Sequence, residues 1–95
     1  MDTKAFFAQA PTLFHGDPQD TDPIDPYWDE VKADVVGFTS SNELAMLNLA
    51  AKLMPADEAY LEVGTFKGRS MCGTIRDNAD KAYYAMENFM QIGMP

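Results

Sequence analysis

The sequence predicts an α/β chain in which N-terminal helices lead into the first β-α-β unit of a doubly wound parallel sheet. Three observations carry this. A short apolar run, Ala59-Tyr60-Leu61-Glu62-Val63, passes directly into a loop with glycines at 64 and 68. That loop opens a segment with helical spacing. A second strand-like run, Ala82-Tyr83-Tyr84-Ala85-Met86, follows after a short turn at Asp80-Lys81. Two strands joined through a helix are expected to lie parallel with a right-handed crossover.

Taken in order, residues 1 to about 10 suit a short helix. Pro11, Gly16, Pro18, Pro23 and Pro26 then punctuate a stretch that also holds Asp17, Asp20, Asp22 and Asp25, and a loop is expected. Those aspartates lack the spacing, central glycine and closing glutamate of an EF-hand, so they read as a solvated loop. Pro26-Tyr27-Trp28-Asp29-Glu30-Val31 places proline at a helix start and acids in its first turn, where the helix dipole favours them. A helix to about Asp34 follows, with Tyr27, Trp28 and Val31 packing on the main body.

Ser40-Ser41-Asn42-Glu43 has the form of a capping box, which starts a helix near Ser41. Leu44, Leu47, Ala51 and Met54 recur at three and four residues. Ala45, Met46, Leu49, Ala50 and Leu53 widen the stripe until only Asn48 and Lys52 are left as wet positions, and Pro55 ends the helix. So broad an apolar surface needs cover from a sheet, the N-terminal segment or a partner chain.

The first strand spans Ala59 to Val63, about 17 Å at the usual rise. The helix after the glycine loop is expected from Arg69 to about Asn78, roughly 15 Å, so it can run back along the sheet. Met71, Cys72, Ile75 and Ala79 form its apolar edge, and Gly73 is expected to allow close packing on the sheet.

Ninety-five residues, 46% of them hydrophobic, fit one small domain or part of a larger one. A net charge of −8 argues against nucleic acid as partner, because that binding relies on clustered Lys and Arg. The longest apolar stretch is too short to span a bilayer, and the N-terminus lacks the apolar core of a signal peptide; a soluble, cytoplasmic protein is expected. Cys72, alone, excludes an intrachain disulfide and a cysteine zinc site, and is expected to be buried. His15, the single histidine, is expected at the surface.

The candidate chemistry gathers at the strand ends. Glycine lacks a Cβ, so a chain can turn tightly there and a ligand can come close. Glu87 follows the second strand, 19 positions beyond Gly68, close to the interval at which a nucleotide-binding β-α-β unit places a ribose-binding acid. The loop Gly64-Thr65-Phe66-Lys67-Gly68-Arg69-Ser70 matches neither the phosphate P-loop nor the Gly-x-Gly-x-x-Gly pattern. Glu62 puts a negative charge beside the loop, which disfavours phosphate and favours an ammonium or sulfonium group. Lys67 and Arg69 are read as solvated.

These residues resemble a known family. Leu61-Glu62-Val63-Gly64-Thr65-Phe66-Lys67-Gly68-Arg69-Ser70 is similar to the first motif of class I S-adenosylmethionine-dependent methyltransferases, in the Glu-x-Gly-x-x-x-Gly-x-Ser form of small-molecule O-methyltransferases. Ala85-Met86-Glu87-Asn88-Phe89 resembles the second motif. The resemblance implies a partial Rossmann-like fold, with residues 1–35 an N-terminal segment of loop and short helices and 36–95 the start of an incomplete methyltransferase domain. It implies S-adenosyl-L-methionine as cofactor, with Glu62, Gly64 and Ser70 around the methionine part, Thr65, Phe66 and Lys67 in the loop over it, Gly68 permitting close approach, Glu87 on the ribose and Asn88 against the adenosine.

A small-molecule methyl acceptor is implied as well, and no residue here is assigned to a metal or to catalysis. The family domain has about seven strands, so a chain ending after two is expected to be inactive alone. Two other readings stay open: a fragment of another nucleotide-binding enzyme, or a non-enzymatic interaction module using helix 41–54. Under any of these readings, marginal stability or self-association through exposed apolar surface is expected.

Overall fold

A computed structural model describes residues 1–15, 22–64 and 68–87. Among these the chain is mixed α/β, with four α-helices and a two-stranded parallel sheet. Helix α1 runs Thr3–Gln9, started by the Asp2 carboxylate, which accepts from the Ala5 N–H at 3.0 Å. A 3-10 turn, Ala10–Leu13, follows where Pro11 prevents the helix from continuing. His15 is exposed, as expected.

Helix α2, Tyr27–Asp34, begins behind Pro26, and Asp25 accepts from the Tyr27 N–H at 2.9 Å. Helix α3, Ser41–Lys52, has the expected capping box: the Ser40 hydroxyl accepts from the Glu43 N–H, and the Glu43 carboxylate accepts from the Ser40 N–H at 3.3 Å. Strand β1 is Ala59–Val63, α4 is Arg69–Ile75 and β2 is Ala82–Met86. The strands pair parallel, with Ala59 opposite Ala82 and Val63 opposite Met86. The Gly64 N–H donates to Met86 O at 2.7 Å and extends the pairing one residue past β1.

The core lies between helices. Trp28, Val31, Leu44 and Ala45 form one buried cluster, with Leu13 and Tyr27 packed against it. Trp28 and Val31 therefore pack on the main body, as expected. The apolar stripe of α3 is covered by α2, α4 and the 3-10 turn, and Leu44 and Ala51 have no exposed surface.

Five expectations are corrected. Helix α4 stops at Ile75, three residues early, because Arg76 turns extended and Asp77 takes φ +58°. Asn48 is drawn into that ending, donating from Nδ2 to the carbonyls of Gly73 at 3.0 Å and Arg76 at 2.8 Å, so it is no wet position. A helix end leaves carbonyls without intrahelical partners, and an amide from a neighbouring helix satisfies them here.

Gly73 packs on helix α3 and not on the sheet: a Cβ there would lie 2.7 Å from Leu44 Cδ2 and 3.5 Å from Trp28 Cζ3. Cys72 is exposed. It stands one residue from Gly73, about 100° around the helix, and the face turned to α3 carries Gly73 and Thr74 instead.

Arg69 is the fifth. It is half-buried and donates to Val35 O at 2.7 Å, Thr39 O at 3.0 Å and Lys32 O at 3.1 Å. These carbonyls belong to the C-terminal end of α2 and the segment after it, where a cation is favoured. The side chain leaves its own unfavourable helix start to cap another helix.

Candidate functional site

Strand periodicity sorts the sheet into two faces. Tyr60 and Glu62 are half-buried on one, while Ala59, Leu61 and Val63 are exposed on the other. On the covered face Glu62 Oε1 accepts from Ser70 Oγ at 2.6 Å and from the Tyr60 hydroxyl at 2.8 Å. Thr74, fully buried, donates to Ser70 O at 2.7 Å and ties that turn of α4 together. The strand end and the helix start on either side of the glycine loop are thus joined by one carboxylate.

The second oxygen, Glu62 Oε2, is buried and has no hydrogen-bond partner among the described residues. Burial, followed by the hydrogen bond to Glu62, pushes the Tyr60 hydroxyl up to about 12. The Tyr60 ring lies 5.9 Å from that of Tyr83, its cross-strand neighbour.

Both described glycines of the loop have left-handed backbone, Gly64 at φ +77° and Gly68 at φ +86°. Few residues other than glycine adopt this conformation without strain. At each, among the described residues and apart from the chain neighbours, no atom lies within 4 Å of where a Cβ would stand. An open cavity of about 590 Å³ lies at the carboxyl ends of the strands, lined by Val63, Gly64, Ala85, Met86 and Glu87. In parallel α/β sheets this end is where ligands seat, because loops diverge there and helix starts face it.

The structure therefore brings Gly64 and Glu87 to one cavity, and Glu62 and Ser70 to one hydrogen-bonded brace beside the loop. Glu62 is not part of the cavity lining. Gly68 begins α4. Thr65, Phe66, Lys67 and Asn88 lie outside the described residues.

Sequence reasoning passed over Tyr60, although it precedes Glu62 by two residues and so shares its strand face. It also passed over Arg76. That side chain forms an ion pair with Asp25 at 2.6 Å and sits 3.8 Å from the centroid of the Tyr27 ring. Asp25 is held below the usual carboxylate range, first by the Tyr27 N–H and then by Arg76. No local signal links positions 51 residues apart.

Among the described residues no group of His, Cys, Asp or Glu could hold a metal ion, and no helix is long and apolar enough to cross a membrane. Comparison with protein-family models, with curated proteins and with solved structures gives no match.

Proposed function

We propose that this chain is the N-terminal part of a Rossmann-like, S-adenosyl-L-methionine-dependent methyltransferase acting on a small molecule, and that it carries one half of the cofactor site. The observation that supports the reading is the meeting of Gly64 and Glu87 at one cavity, with Gly64 bonded to the last residue of β2. The residues fit such a group: among the described residues, nothing but the chain neighbours lies within 4 Å of where Gly64 and Gly68 would carry a Cβ, and a carboxylate stands at the neighbouring strand end.

Glu87 would accept from the two ribose hydroxyls, a geometry suited to a carboxylate's several lone pairs. Gly64 and Gly68 would let the backbone approach the ligand closely. Glu62 and Ser70 would hold the loop's two ends at a fixed separation. When bound, the cofactor supplies an activated methyl group on a sulfonium. The protein's task is then to position acceptor and sulfonium in line while keeping water out.

Calorimetric titration of the chain with S-adenosylhomocysteine, NAD and ATP tests this. S-adenosylhomocysteine should bind, and Glu87→Gln should weaken it about tenfold, as expected for loss of a charged hydrogen-bond acceptor. Binding of NAD or ATP in its place, or no binding of S-adenosylhomocysteine, would overturn the reading.

A further inference from the structure

We infer that Arg69 is a positioning residue for the proposed cofactor site: by gripping the backbone at the end of α2 it sets where the glycine loop ends, and so ties ligand binding to the docking of residues 35–39. The inference rests on the function proposed above.

Arg69 directly follows Gly68, whose left-handed backbone leads the loop into α4. Its guanidinium donates three hydrogen bonds, all to one stretch of main chain: Nε to Val35 O at 2.7 Å, Nη1 to Thr39 O at 3.0 Å and Nη2 to Lys32 O at 3.1 Å. A planar fork with donors in fixed directions holds three carbonyls in one placement only. Gly37 lies against the stem of the same side chain, since a Cβ there would stand 2.9 Å from Arg69 Cβ and 3.3 Å from Cδ. Any larger residue at 37 would push Arg69 aside.

The next residue is tied to a different body. Ser70 donates to Glu62, near the end of β1. One anchor leaves a helix start free to swing about it; a second, about 100° around the helix, removes that freedom. Gly68 is therefore held from the strand through Ser70 and from the N-terminal segment through Arg69. A ligand that leans on glycine backbone binds more tightly when that backbone already stands in place.

The far end of α4 supplies a control. Positions 69, 73 and 76 recur at four and three residues and so share one face. Gly73 leaves room there for Trp28, and Arg76 pairs with Asp25, just before α2. Helix α2 is thus held against α4 at both ends, but only the Arg69 end adjoins the loop.

Calorimetric titration with S-adenosylhomocysteine, joined to amide hydrogen exchange, tests the inference at a temperature where circular dichroism shows every variant folded. Saturating S-adenosylhomocysteine should slow exchange in residues 35–40 of the unaltered chain, because coupling between two sites is reciprocal. Gly37→Ala and Arg69→Lys should each weaken binding about tenfold, as follows if the competent arrangement falls to about a tenth of the population. Arg76→Gln, which loosens the other end of α2, should leave the affinity unchanged. Unaltered affinity in Gly37→Ala or Arg69→Lys, an equal loss in Arg76→Gln, or exchange in 35–40 that ignores the ligand would each overturn the inference and leave the proposed function standing. Failure of the unaltered chain to bind would overturn the proposed function, and this inference with it.

Discussion

Ser70 Oγ donates to Glu62 Oε1 at 2.6 Å, so the last turn of a strand and the first turn of a helix are held together across the glycine loop by a single hydrogen bond. Ser70→Ala removes one of the two donors, among the described residues, to a carboxylate whose other oxygen has no partner among them. The expected loss is about 1–3 kcal/mol, the cost of leaving a buried polar group less satisfied. Urea unfolding of the two proteins measures it, and equal midpoints would show that the brace contributes nothing.

Gly73→Ala sets two effects against each other. Alanine improves helix propensity by up to about 1 kcal/mol. Its methyl would stand 2.7 Å from Leu44 Cδ2, so the fully buried Leu44 side chain must shift within the core to admit it. Overpacking of this kind costs roughly 1–3 kcal/mol, so the variant should melt lower. A higher melting temperature would mean that α3 and α4 can separate at little cost.

Arg69→Lys tests the clamp between α4 and the end of α2. An ammonium cannot span the carbonyls of Lys32, Val35 and Thr39 as the planar guanidinium does. Loss of charged hydrogen bonds should cost about 1.5–3 kcal/mol. Amide hydrogen exchange should rise in residues 35–40 before it rises in β1. Uniform exchange across the chain would place the effect elsewhere.

Alkaline pH should destabilise the fold through Tyr60. Its hydroxyl is raised from 10 to about 12 in the folded chain, chiefly by burial and then by the bond to Glu62. The folded state thus holds this proton more tightly than the unfolded state. The associated stability is complete below pH 10 and is lost as pH rises from 10 through 12. Tyr60→Phe should flatten the stability profile over that window, and an unchanged slope would assign the alkaline loss to another group.

The positions of the helices and strands were legible because each rests on neighbours in sequence. Ser40 and Glu43 cap α3, Pro26 opens α2, and Pro55 lies just beyond the end of α3. The two strands have their expected bounds, and Gly64 and Glu87 do meet at the strand ends. The end of α4 was not legible, because it depends on Asn48, an amide carried by another helix.

By itself, the sequence determined where most chain segments turn and cap, and where the two strands begin and end. These follow from backbone sterics and hydrogen bonds spanning only a few residues. The tertiary structure alone decided which way each helix is rotated: Gly73 toward Leu44, Cys72 toward solvent, Arg69 onto the end of α2, and Arg76 onto Asp25 and Tyr27. Helical periodicity marks a stripe without naming its neighbour. The neighbour is chosen when helices pack closely enough for one side chain to exclude another, and that choice joins residues separated by 25 to 51 positions.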